Sequence, residues 1–264
     1  MLYVINYANG KFKNSQKLNT KTALKVGKAD KVINYSSEDI DEKFYNNNIK
    51  ILSQKRGNGY WLWKPYFIYK TLNEINFGDY LMYCDSGAYF VDDIHKLINV
   101  MNKDKQDIMC FQIETVEKNY SKRDAFILMN CDNNVVKNSK QVCATFSLYK
   151  KSAKSLKLVK DWLKYCQDER IITDIPNKCG RKNYPGFIDN RHDQTAFSLI
   201  CKKYNLNPYR DISQYGKNIV MTNSDFPQIV ECHRIPIAKT KFEVIILRIL
   251  IPILLPLYKK IIKK

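Results

Sequence analysis

Asp85 closes an apolar run, Tyr80-Leu-Met-Tyr-Cys84, and Ser86-Gly87 follow at once. A buried strand that ends in Asp and turns through Ser-Gly leaves its last carboxylate at the carboxyl edge of a sheet. Open α/β sheets bind their ligands at that edge. Upstream, Arg56-Gly-Asn-Gly-Tyr-Trp-Leu-Trp-Lys-Pro-Tyr66 gathers two cations, two glycines and four aromatic rings. Arg56 and Lys64 can neutralise a diphosphate. Gly57 and Gly59 let backbone approach a ligand closely, and Tyr60, Trp61 and Trp63 can stack on a base or a sugar. Together these residue types suit a phosphorylated, nucleotide-linked substrate. Each also has a plainer use: Asp85 alone could cap a turn, and at least one Trp is expected in the core. Lys64 is the most pointed feature. A cation in the first turn of a helix is disfavoured by the helix dipole, and a bound anion would rationalise it.

Three further clusters carry chemistry. Arg191-His-Asp-Gln194 opens a predicted helix. Asp193 there could take a proton from a hydroxyl or hold it by hydrogen bond, or simply cap the helix. His233, in Val-Glu-Cys-His-Arg, is one of three histidines and reads equally as a metal ligand or a surface histidine. Glu117 and Lys122-Arg123-Asp124 read as an acceptor-side wall or as a solvated face.

The elements that must position these residues alternate. Strands are expected over 2–7, 31–35, 80–84, 107–113 and 141–149, and helices over 15–26, 63–75, 92–102, 121–129, 153–167 and 191–204. Ser36-Ser-Glu-Asp39 reads as a cap, and Pro65 is permitted in the first turn of its helix. Residues 171–189, rich in Pro, Gly, Asn and Lys, form a long loop suited to a lid or binding loop. The alternation predicts one α/β domain over 1–238 with a mostly parallel sheet.

Composition bounds the rest. The 264 residues are 45% hydrophobic and 12% aromatic, enough for a sizeable core. A net charge of +18 asks for an acidic partner: nucleic acid, an anionic membrane or phosphorylated substrates. The lysines are scattered, so charge alone does not choose. Eight cysteines without a C-x-x-C pair argue against zinc and for a reducing, cytoplasmic setting. The N-terminus reads as a first strand and not as a signal peptide. Residues 239–264, KTKFEVIILRILIPILLPLYKKIIKK, are interrupted by Arg248, Pro252 and Pro256. A spanning helix needs roughly 20 consecutive apolar residues. An amphipathic, membrane-surface helix is expected instead, with Lys259, Lys260, Lys263 and Lys264 each worth about 1 kcal/mol on anionic lipid.

Gly59-Tyr-Trp-Leu-Trp-Lys-Pro65, followed by Gly78-Asp-Tyr-Leu-Met-Tyr-Cys-Asp-Ser-Gly87, resembles the bacterial GT-A-type glycosyltransferases of capsule and lipopolysaccharide assembly. Asn119-Tyr-Ser-Lys-Arg-Asp124 and Arg191-His-Asp-Gln194 are similar to later segments of that group, and the resemblance spans about 2–234. It implies a GT-A-like fold and a hexosyltransferase-like activity with a nucleotide-sugar donor, UDP-sugar foremost. It implies donor binding by Arg56, Gly59, Tyr60, Trp63, Lys64, Asp85, Ser86 and Gly87, and acceptor binding by Lys122, Asp124, Arg191, His192 and Gln194. Asp193 would be the general base of an inverting mechanism, or would position the acceptor in a retaining one. The resemblance further implies Mn²⁺ or Mg²⁺ on Asp85 with His233, although the second acid of the group's D-x-D motif is replaced by Gly87. A lipid-linked glycan acceptor at the inner membrane face, and no nucleic acid, complete the expectation. Three alternatives stand beside it. A nucleotidyltransferase would carry a Gly-rich phosphate loop near the first strand, where this chain has only Asn9-Gly10. A nucleic-acid-binding protein would show steep salt dependence. A non-catalytic membrane-bound scaffold would leave Asp85, Lys64 and Asp193 coincidental.

Overall fold

The computed structural model describes residues 1–233, so the expected tail over 239–264 lies outside the described residues. Ten strands run in chain order: β1 (Leu2–Tyr7), β2 (Lys31–Tyr35), β3 (Tyr80–Cys84), β4 (Ala88–Phe90), β5 (Ile108–Met109), β6 (Phe111–Val116), β7 (Lys140–Val142), β8 (Phe146–Lys150), β9 (Tyr209–Arg210) and β10 (Val230–Cys232). The central sheet has the order β2-β1-β3-β8-β5. β1 pairs in parallel with β2 and β3, and β8 runs against both β3 and β5. Four of its five strands therefore point the same way, the mostly parallel α/β sheet expected from the alternation.

Side-chain alternation along the strands divides the interior into two cores. Ile5 and Tyr7 of β1 and Leu81 and Tyr83 of β3 face one core, with Phe67, Ile68 and Leu72 of helix Trp63–Glu74 and Leu158, Val159 and Trp162 of helix Ala153–Cys166. Leu2, Val4, Met82 and Cys84 face the other, with Ala23 of helix Lys13–Lys25 and Leu97, Ile98 and Met101 of helix His95–Lys103. Because β1 and β3 are parallel neighbours, Tyr7 and Asp85 emerge at the same sheet edge.

Two expected strands are each broken in two. The run 107–113 divides at Cys110, whose carbonyl accepts from Tyr209 N, so β6 leaves the central sheet and joins a three-stranded sheet in the order β7-β6-β9. The run 141–149 divides at 143–145: β7 stays with β6, and β8 enters the central sheet. Alternation cannot reveal such a corner, because both halves keep the same period. The corner matters for the site, since it leaves the Ala144 carbonyl outside either ladder.

Candidate active site

The Arg56–Tyr66 segment is built around a left-handed turn. Gly57, Asn58, Gly59, Tyr60 and Trp61 all have positive φ, from 51° to 93°. For the three non-glycine residues this costs on the order of 1–3 kcal/mol each. Bonds from Gly59 N to Gln54 O (2.9 Å), Tyr60 N to Arg56 O (2.8 Å) and Trp63 Nε1 to Gly57 O (3.0 Å) hold it, and Asn58 Nδ2 donates to the Tyr7 hydroxyl. Gly59 is needed for packing. At φ +93°, a Cβ would lie 2.8 Å from Leu52 Cα. The turn delivers Trp61 to the site, stacked on His192 at 5.3 Å, and sets Tyr60 5.0 Å from the same imidazole.

Helix Trp63–Glu74 then places Lys64 beneath the sheet edge, only 3% exposed. Its ammonium donates to Ala144 O at 2.9 Å and forms ion pairs with Asp193 Oδ2 at 2.9 Å and Asp85 Oδ1 at 3.3 Å. The Tyr83 hydroxyl also donates to Asp85 Oδ1. Burial works against the Lys64 charge, but Asp193 and Asp85 outweigh it and hold its pKa above the ordinary lysine value. Burial pushes Asp193 up to about 6; Asp85 adds to the rise and Lys64 opposes it. The Tyr83 phenol is pushed well up, first by burial and then by Asp85.

Residues 173–192 are tied down at several points, and Asp189 to His192 join the cavity wall. Asp124 accepts from Lys178 N (2.5 Å) and Cys179 N (3.1 Å), and Lys122 Nζ donates to Ile175 O (2.7 Å). Arg56 pairs with Asp174 at 3.4 Å and Asp189 at 3.2 Å. The loop ends at His192, with φ 55° and ψ −115°, just before helix Asp193–Lys203. His192 is buried, and its Nδ1 lies 2.8 Å from the Ile172 carbonyl. Burial lowers its pKa, so the neutral ring donates from Nδ1 and leaves Nε2 as a buried acceptor. Among the described residues, Nε2 has no hydrogen-bond partner.

These parts surround a cavity of about 890 Å³ at the carboxyl ends of β1 and β3. Its wall includes twelve of the residues expected from sequence: Arg56, Gly57, Trp61, Trp63, Lys64, Asp85, Ser86, Gly87, Arg191, His192, Asp193 and Gln194. Gly59, Tyr60, Lys122, Asp124 and His233 are not part of that wall. Gly59 packs on Leu52, Tyr60 on His192, and Lys122 and Asp124 hold the loop. Several expected residues have roles that their type did not announce. Trp63 is mostly core, stacked on Tyr7 at 3.7 Å. The Ser86 hydroxyl donates to Tyr7 O, and Gln194 Oε1 accepts from Ala144 N at 3.3 Å. Sequence reading missed Tyr7, Asn9, Lys11, Asn58, Asn190, Asp211 and Tyr215 on the wall. The Ala8-Asn9-Gly10 turn after β1 was a usable signal, since it ends a strand parallel to the one that ends in Asp85.

The residues do not fit the expected metal. Among the described residues no three His, Cys, Asp or Glu side chains gather to hold one. Asp85 and Asp193 already share the Lys64 ammonium, Asp189 pairs with Arg56, and Asp211 Oδ1 accepts from Ser213 N and Oγ. His233 N donates to Gly87 O, and its ring stacks beside Tyr89 at 6.1 Å.

No family model and no curated protein matches the chain. Solved structures similar to it include the apo form of mouse xyloside xylosyltransferase 1, at 10% identity and TM-score 0.47, covering 88% of this chain and 96% of that one. Another is the apo structure of the bifunctional glycosyltransferase WbbM, at 7% identity and TM-score 0.45, covering 75% of this chain and 37% of that one. At such identities and scores neither assigns a role to a residue here.

Proposed function

We propose that this protein transfers a sugar from a nucleotide-sugar donor, a UDP-sugar first among candidates, to a hydroxyl of a glycan. The observation that carries the reading is the meeting of Lys64, Asp85 and Asp193 in one cavity at the sheet edge. They come from three segments far apart in sequence, the same three whose motifs resemble GT-A-type glycosyltransferases. The cavity wall supports an anionic donor. It carries five cations (Lys11, Lys55, Arg56, Lys64 and Arg191) against four carboxylates (Asp85, Asp189, Asp193 and Asp211).

In the proposed step the acceptor hydroxyl oxygen bonds to the anomeric carbon of the donor sugar. The bond from that carbon to the diphosphate oxygen breaks, and the nucleoside diphosphate leaves with the electron pair. Asp193 receives the hydroxyl proton. With its pKa raised to about 6 it is a stronger base than an ordinary aspartate, yet still ionised near neutrality. The cations of the wall stabilise the leaving diphosphate electrostatically. The loop ending at His192 excludes water that would otherwise hydrolyse the donor. The acceptor we propose is lipid-linked, in cell-surface polysaccharide assembly at the inner face of a membrane. The exposed lysines of helix Lys13–Lys25, which begins beside the cavity residues Lys11 and Phe12, support that setting.

A thermal-shift panel of UDP-, GDP-, CMP- and dTDP-sugars tests the reading. A donor at about 100 times its dissociation constant adds about 2.7 kcal/mol of stability. Stabilisation by one nucleotide class, lost in Arg56→Ala, is the expected result. No response to any donor, with or without an added glycan acceptor, would remove the basis for sugar transfer.

A further inference from the structure

We infer that the ammonium of Lys64 is the resident cation of this site, and that a nucleoside diphosphate binds here without a divalent metal. The sequence placed Lys64 on the donor's phosphates. The geometry gives it a different task. It donates a hydrogen bond to Ala144 O and is ion-paired with both Asp193 Oδ2 and Asp85 Oδ1. A buried ammonium is sustained only when it is paired in this way. It sits where a metal bridging Asp85 and Asp193 would have to sit, and it binds the same oxygens.

Three features make the arrangement a substitute for a metal site and not a metal site awaiting its ion. First, position 87, where the resembling motif has a second acid, is Gly, and its carbonyl accepts from His233 N. Second, Asp85 Oδ1 carries two donors, Lys64 Nζ and the Tyr83 hydroxyl. A dication there would displace a buried ammonium or stand against it as a like charge. Third, the carbonyl that accepts from the lysine lies at the corner between β7 and β8, outside either ladder. Asp85 is one-third exposed at its side chain and lines the cavity, so the cluster presents a fixed dipolar surface to the ligand. Lys64, rigid and shielded, sets its potential, and the mobile positive charge needed for a diphosphate comes from the other cations of the wall.

The inference rests on the donor reading only for its nucleotide arm; its metal arm stands alone. In the metal arm, Mn²⁺ is titrated into the full chain by electron paramagnetic resonance and calorimetry. No specific site is expected in the wild type. In Lys64→Met, which frees the two carboxylates, Mn²⁺ affinity should rise at least about tenfold. Stoichiometric Mn²⁺ binding to the wild type, lost in Asp85→Asn, would overturn the inference, and this holds even where Lys64→Met does not fold. In the nucleotide arm, UDP, GDP, CDP and dTDP are titrated in EDTA and in excess Mn²⁺. The one that binds should change its dissociation constant by less than about tenfold, and a larger dependence on Mn²⁺ overturns the inference. If no nucleotide binds under either condition, the donor reading falls, and the wild-type Mn²⁺ titration still decides the metal question.

Discussion

A single lysine charge lies between two carboxylates in a buried space, at the centre of the proposed site. Asp193 is where the balance becomes measurable. Burial raises its pKa to about 6, with Asp85 pushing the same way and Lys64 opposing. Below that pH it is protonated and cannot take the acceptor's proton, so kcat/KM should rise with pH up to about 6 and level off above it. Asp193→Asn should lower kcat by about 10²–10⁴-fold and abolish that limb. A pH–rate profile between pH 4.5 and 8 checks both, and a profile unchanged by the substitution would remove Asp193 from the chemistry. The same shift acts on stability. The folded pKa lies above the unfolded value of about 3.9, so the folded state holds more protons between the two. This group's contribution is therefore fully present below about pH 4 and is lost as pH rises through about 6. Urea denaturation of the wild type and Asp193→Asn across that window should differ in slope, the variant lacking the fall.

Elements brought these residues together by devices of very different visibility in the sequence. Strand β3 and its terminal Asp85 were legible because an apolar run stopped by Asp-Ser-Gly has one simple reading. Helices Trp63–Glu74 and Ala153–Cys166 were legible from their periodicity. The left-handed turn was not, because Asn58, Tyr60 and Trp61 adopt a backbone that their own preferences oppose. Hydrogen bonds to Gln54, Arg56, Gly57 and Tyr7 and the packing on Leu52 and His192 hold them there. The Lys64 clamp was equally hidden: its partners Ala144 and Asp193 lie 80 and 129 residues away, and no local pattern encodes that meeting. Two predictions belong to this scale. Gly59→Ala forces a Cβ against the Leu52 backbone at positive φ and should cost about 1–3 kcal/mol in urea denaturation. Asp124→Ala strands the Lys178 and Cys179 amides that it now accepts from, at a cost of about 1–3 kcal/mol. The loop between Asp174 and Asp189 should then be cut faster in limited proteolysis while the Lys64 cluster stays intact. Unchanged cleavage would mean that Arg56 and Lys122 hold the loop without Asp124.

The charge of the whole molecule has an orientation that its total of +18 conceals. Between residues 11 and 28 there are six lysines and no acid. Lys13, Lys17, Lys21 and Lys25 recur four residues apart, so they form one ridge on helix Lys13–Lys25, and all four are exposed. Leu24 and Val26 are exposed beside the ridge, and Lys11 and Phe12 at its start line the cavity. The proposed membrane-held acceptor would be served if a surface that met this ridge also met the cavity beside Lys11 and Phe12. At about 1 kcal/mol per lysine near an anionic bilayer, the four together are worth roughly a thousandfold in affinity. The full chain should therefore float with phosphatidylglycerol vesicles in low salt and detach as salt screens the ridge. Reversing Lys13, Lys17, Lys21 and Lys25 to Glu should weaken flotation more than tenfold while leaving nucleotide binding unchanged. If that variant floats like the wild type, the ridge does not face lipid. The comparison then passes to a chain lacking residues 239–264, where equal flotation with and without them would exclude the tail as anchor as well. Loss of binding in the ridge variant alone would place helix Lys13–Lys25 against the lipid, as the proposed membrane-held acceptor requires.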